Sequence, residues 1–178
     1  MPFGLISEQP VLFVIWIVAI LISLSVHEFS HAWMSAWLGD STAKSAGRLT
    51  LNPLAHIDPV GFLMLILVGF GWGKPVPFNS YNLKYPKWGP TLVAFAGPLS
   101  NLINVIFFGV ILKILLAINA LPIDNLLLQF LGLLIIINLI LLLFNLLRIP
   151  PLDGSKFLLS ILASPKYART RFLLETRG

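Results

Sequence analysis

Apolar residues run almost unbroken through 10–26, 91–118 and 126–147, and each run is long enough to cross a hydrocarbon core, which takes about 20 helical residues. A fourth run, 60–70, is too short to span alone. Helix signals place the first span at about 10–38, ended by Gly39, the second at about 90–118 and the third at about 125–148, with "LPID" at 121–124 reversing the chain between the last two. Between the first and second spans, 39–89 is polar and rich in glycine and proline, as in "GWGKPVPFNSYNLKYPKWGP", and is not expected to form regular helix. The pattern predicts an all-α membrane protein. Its fold is a polytopic helical bundle of about three core transmembrane helices with a re-entrant or interfacial segment, forming a single domain over 1–178 with an interfacial tail at 155–178. The first run has no basic start and no small-residue cleavage site before the polar stretch that follows, so it reads as a retained helix.

Composition agrees with this reading. Of 178 residues, 57% are hydrophobic and 11% charged, and the mean hydropathy is +0.91, far from the balance of a soluble domain. There is no cysteine, which excludes disulfides, thiolate metal sites and a thiol nucleophile; any metal must be held by nitrogen and oxygen. The net charge of +5 comes from basic residues in short segments beside apolar spans, the pattern of cytoplasmic retention and not of nucleic-acid binding. If 60–70 does not cross, Lys44, Arg48, Lys74, Lys84, Lys87 and all basic residues from Arg148 onward share one side, which the positive-inside rule makes the cytoplasm.

Against this apolar background, "SVHEFSHAW" at 25–33 sets three ionisable groups inside a span. His27 and His31, four residues apart, lie on one helix face and can share a metal ion, and Glu28 stands beside them to take a proton from water. A pair of core histidines satisfied by hydrogen bonds is the plainer alternative, but ionisable groups in hydrocarbon are costly unless paired or metal-bound. His31 lies eight residues before Gly39, about 12 Å along the helix axis, so the group sits below the membrane surface. A catalytic zinc site normally has three protein ligands. The remaining carboxylates are Glu8, Asp40, Asp58, Asp124, Asp153 and Glu175; Asp153 stands out because two prolines break the third span just before it, although "PPLDG" alone is also an ordinary interfacial turn.

"HEFSH" followed by "NLLRIPPLDG" resembles the site-2 protease family of intramembrane zinc metalloproteases, with H-E-x-x-H and a later N-x-x-P-x-P-x-L-D-G. "AGPLSN" at 96–101, "GRLTLNPLAHIDPVG" and "GWGKPVPFN" resemble its compact prokaryotic branch without a PDZ or CBS domain. The resemblance implies one Zn2+ per chain on His27, His31 and Asp153, with Glu28 as general base, and a transmembrane protein in the lipid bilayer as substrate. It also implies a prokaryotic cell membrane, with the active site toward the cytoplasm. Asn145 occupies the family's Asn position and is a candidate substrate or oxyanion contact, or a hydrogen bond between helices; His56 is a further candidate for either the zinc or the oxyanion. Asn101 and Asn104 are expected to join helices, with Gly97 allowing close approach. Arg148 stands where the family has a proline, and Lys156, Ser160 and Ser164 form a polar stripe suited to an interfacial helix. An extended substrate could pair with an edge in 45–85. The rival readings are a metal-binding or metal-transporting membrane protein and an inactive protease-like scaffold.

Overall fold

The computed structural model describes residues 8–147 and 152–161, excepting the side chains of the last three. Arg148, Ser164 and the side chain of Ser160 lie outside this description. The helices are α1 (Pro10–Trp37), α2 (Thr42–Ser45), α3 (Pro59–Val68), α4 (Gly89–Ala117), α5 (Leu126–Asn145) and α6 (Gly154–Ile161), with single 3₁₀ turns at Pro53–Ala55 and Ser80–Asn82. Three of them, α1, α4 and α5, are long and apolar enough to cross a membrane. Their starts follow from local chemistry: proline, whose missing N–H costs nothing there, opens α1 and α4, and the Asn125 side chain accepts from the Leu127 N–H at 2.9 Å to cap α5. Gly39, at φ +103°, ends α1 in a left-handed turn that a side chain would strain.

The expectation that 39–89 lacks regular helix needs correction. Residues 59–68 form a regular helix, started by Pro59 and by Asp58, whose Oδ1 accepts from the Gly61 N–H at 2.8 Å. Ten residues rise only about 15 Å, half a hydrocarbon core. The chain also returns to where it left: Ile57 bridges Gly73, and the Lys74 N–H donates to the His56 carbonyl at 2.8 Å. The two ends of the 57–73 excursion are therefore adjacent. Gly61 and Gly71 permit this closure, since a Cβ on Gly61 would collide with the Trp72 carbonyl and one on Gly71 with the Gly61 carbonyl.

The spanning helices meet through small and polar residues. Ala19, Ser23, Ala32 and Ser35 of α1 are fully buried, and so is Asn138 of α5. Small side chains let backbones approach where no water drives association. Asn138 joins all three spans: it donates to Ser23 Oγ and to the Leu134 carbonyl, both at 2.8 Å, and accepts from Asn104 of α4 at 3.0 Å. Toward the N-terminal end of α1, Ala19, Leu134 and Ile137 form an apolar core with Trp16, Phe108 and Phe130 packed against it. Val11, Val14, Val18 and Ile22 remain exposed along one face of α1, as expected of a surface whose solvent is lipid.

At the other end, Asp40 holds the long connection in place. It is fully buried, and five donors surround its carboxylate: Ser35 Oγ (3.0 Å), Thr42 Oγ1 (2.6 Å), the Thr42 N–H (3.2 Å), the Asn79 N–H (2.8 Å) and Asn82 Nδ2 (3.1 Å). Burial alone would raise its pKa, but these bonds, led by the one from the Thr42 hydroxyl, outweigh it and bring the pKa down to about 2. The knot draws 79–82 against the end of α1. There Leu38 and Leu83 pack with Val93 of α4, beside Met34 and Phe78.

Candidate metal centre

His27 and His31 come from consecutive turns of α1, four residues apart, and both are buried. Their Nε2 atoms are 3.0 Å apart, and their rings meet edge to face at 86°. Asp153 joins them from the far end of the chain. Its Oδ2 lies 3.2 Å from His27 Nε2 and 3.1 Å from His31 Nε2.

Several close contacts bring Asp153 there. Gly154, the first residue of α6, lies so close to the end of α5 that a Cβ would stand 2.5 Å from the Leu147 carbonyl oxygen and 2.6 Å from that of Leu146. Phe157 of α6 then packs edge-on against Phe95 of α4, and Thr91 Oγ1 donates to the Lys156 carbonyl at 3.4 Å. On the opposite side Gly97 of α4 faces the two imidazoles directly. A Cβ there would overlap His31 Nε2 and stand 2.6 Å from each Cε1.

The protonation pattern suits a cation. A carbonyl can only accept, so the 2.8 Å contact between His31 Nδ1 and the Val93 carbonyl places the hydrogen of a neutral ring on Nδ1 and leaves the Nε2 lone pair facing inward. Asp153 Oδ2, buried at the same point, has no hydrogen-bond donor. The lone pairs of His31 Nε2 and Asp153 Oδ2, 3.1 Å apart, repel one another unless a cation or a proton lies between them, and His27 Nε2 stands 3.0 and 3.2 Å from the two. The separations are close to the about 3.3 Å between donor atoms of a tetrahedral ion with bonds of about 2.0–2.1 Å. Two imidazoles and a carboxylate are also a normal donor set for zinc. These three residues form the group that could hold a metal among the described residues.

The other carboxylates of the polar connection are committed elsewhere, Asp40 to its five donors and Asp58 to the cap of α3. Glu28 is buried beside His27 but contributes no atom to the three-residue group. His56 is fully buried and its Nε2 contacts the Thr50 carbonyl at 2.8 Å, while its Nδ1 meets no partner; it is not part of the metal group. Asn145 donates to the Leu141 carbonyl at 3.0 Å, one turn back in its own helix. Two features escaped the sequence. Arg48, grouped by the sequence only with the basic residues of the cytoplasmic side, is buried and donates from Nη2 to the Lys74 carbonyl, tying the segment after α2 to the end of the 57–73 excursion. Asn101, expected to join helices, does so through His27 Nδ1 of α1 at 2.9 Å, a partner the sequence did not name.

Among curated proteins, "Putative zinc metalloprotease YwhC" of Bacillus subtilis is 41% identical over 150 residues, which make up 80% of this chain and 66% of that protein. The proteins named "Putative zinc metalloprotease Rip2" in Mycolicibacterium smegmatis and Mycobacterium tuberculosis are 33% and 34% identical, each match covering 80% of this chain and 55% of the relative. This chain is related to zinc metalloproteases. It spans between about half and two thirds of the length of these relatives. No family model and no solved structure matches it. The relatives' names and the His27, His31, Asp153 donor set agree on zinc as the metal.

Proposed function

We propose that the chain is an intramembrane zinc endopeptidase of the site-2 protease type, hydrolysing peptide bonds within transmembrane segments of other membrane proteins. The observation that carries this reading is the convergence of His27, His31 and Asp153 within 3.2 Å, beside a buried Glu28, on a helix long and apolar enough to span a bilayer. A soluble substrate would not need a site at that depth.

His27, His31 and Asp153 would hold the zinc, whose Lewis acidity lowers the pKa of water and polarises a carbonyl. Glu28 takes a proton from the attacking water as its oxygen bonds to the scissile carbonyl carbon, and returns it to the amine as the C–N bond breaks. The substrate must unwind locally for this, and its exposed backbone then requires pairing, which an extended edge in 45–85 is suited to give. Metal analysis of the purified protein, combined with cleavage of a single-span membrane substrate in liposomes, tests the proposal. About one zinc per chain is expected, and Ala at His27, His31 or Asp153 should each remove both zinc and cleavage. An Asp153→Ala protein with full zinc and full activity would place the third ligand elsewhere.

The positive-inside pattern supports a cytoplasmic position for 39–89 and an external one for the turn between α4 and α5. Because the chain has no cysteine, single engineered ones report sidedness without background. Ser45→Cys and Tyr81→Cys should be labelled from the cytoplasm and Asp124→Cys from outside. Opposite sidedness of positions 45 and 81 would mean that the 57–73 excursion crosses the membrane.

A further inference from the structure

Asn101 and Asn138 are both buried asparagines in the bundle, and their partners differ in kind. Asn138 uses both ends of its amide, reaching a serine hydroxyl of α1, a carbonyl of its own helix and an asparagine of α4. That is the pattern of a structural crosslink. Asn101, equally inaccessible, shows one hydrogen-bond partner, the Nδ1 of His27 at 2.9 Å, and its other amide atom, Oδ1, meets none. A buried polar group that joins a single partner costs more than a leucine in the same place, unless that one contact has a use.

The use follows from the ring. His27 Nε2 faces Asp153 Oδ2 and His31 Nε2, so if it gives its lone pair to a cation, the hydrogen of the neutral ring must sit on Nδ1. A hydrogen on Nδ1 needs an acceptor. On Asn101 only Oδ1 can accept, and a half-turn of the amide exchanges Oδ1 and Nδ2 at the contact. With Nδ2 against Nδ1, the ring hydrogen would be driven to Nε2, where it blocks ligation. We propose that Asn101 is a positioning residue for the metal centre, its amide oxygen accepting from His27 Nδ1 and so selecting the tautomer and ring orientation in which Nε2 binds zinc. His31 obtains the same selection from the Val93 carbonyl, and Val93 and Asn101 flank Gly97 on α4. One helix thus orients both imidazoles that the neighbouring helix supplies. This inference rests on the reading of His27 as a zinc ligand.

The test is the zinc dissociation constant, measured by chelator competition on the purified full chain in detergent, alongside thermal unfolding of the metal-free protein. Asn101→Leu, which keeps the volume and removes the acceptor, should weaken zinc binding by about 10–100-fold, the usual effect of losing a partner that orients a metal ligand. Asn101→Asp, which restores an acceptor at Nδ1 and the carboxylate–histidine–zinc arrangement, should recover most of that loss. Asn138→Leu should lower the unfolding temperature of the metal-free protein and leave zinc affinity near native. A native dissociation constant in Asn101→Leu overturns the proposal. So does a loss that Asn101→Asp fails to recover and that follows the unfolding temperature, because Asn101 would then be a structural crosslink like Asn138. If the native chain itself binds no zinc, the metal-centre reading falls, and this one with it.

Discussion

Glu28→Gln is expected to leave zinc bound near the native level while lowering hydrolysis by about 10²–10⁴-fold, the range that a positioned general base contributes. Glutamine preserves the volume and a hydrogen-bonding end but cannot carry the proton. Glu28 adjoins His27 on α1 and is buried, yet supplies no atom to the three-residue group that could hold the metal. The substitution therefore separates the two properties that a metal site and a hydrolase share. A transporter or storage protein has no use for a proton shuttle at this position, and an inactive scaffold has no hydrolysis to lose. Zinc content and cleavage of a transmembrane substrate, measured side by side for native and Glu28→Gln proteins, decide the matter. Equal cleavage by the two would sink the mechanism. Loss of zinc in the variant would show instead that Glu28 shapes the site.

The spans were legible because lipid imposes a simple rule on a sequence: a helix that faces it must be apolar for its whole length and must satisfy its backbone internally. The three long helices accordingly begin and end within about three residues of where the apolar runs and their glycine and proline flanks put them. His27 and His31 were legible for the same kind of reason, since their partnership is local, one turn of one helix. The contacts that hold the connection and surround the site are not local. Asp40 meets the Asn79 backbone 39 residues away, and Asn101 meets His27 across 74 residues. Nothing in the composition of 39–89 distinguishes Asp40, gathering five donors, from Asp58, which caps a short helix. Arg48 shows the same limit from the other direction. Charge patterning treats every basic residue of a polar segment alike, whereas folding buried this one against the Lys74 carbonyl. Asn145, singled out by its place in a motif, makes its described hydrogen bond within its own helix, a contact that any asparagine at that depth could form.

Gly97→Ala is expected to abolish tight zinc binding, beyond the about 10–100-fold that follows loss of an outer partner of a metal ligand, because the added methyl displaces the two imidazoles of the candidate metal group. It would overlap His31 Nε2 and lie 2.6 Å from Cε1 of both imidazoles. Neither side can yield cheaply. The His31 ring is tied to the Val93 carbonyl at 2.8 Å, and withdrawal of α4 would break that bond and the packing of Val93 with Leu38 and Leu83. Pro98, the next residue, is itself fully buried. Helix propensity acts in the opposite direction, favouring alanine over glycine in a helix interior by about 1 kcal/mol. The same substitution at Gly109 of α4, where a Cβ would meet nothing within 4 Å, measures that gain alone. Gly109→Ala should therefore match or exceed the native protein in thermal stability, with unchanged zinc affinity and cleavage, while Gly97→Ala loses zinc and cleavage together. Native zinc affinity in Gly97→Ala would mean that α1 and α4 stand further apart than this geometry has them, and that the two histidines are not held in register from α4.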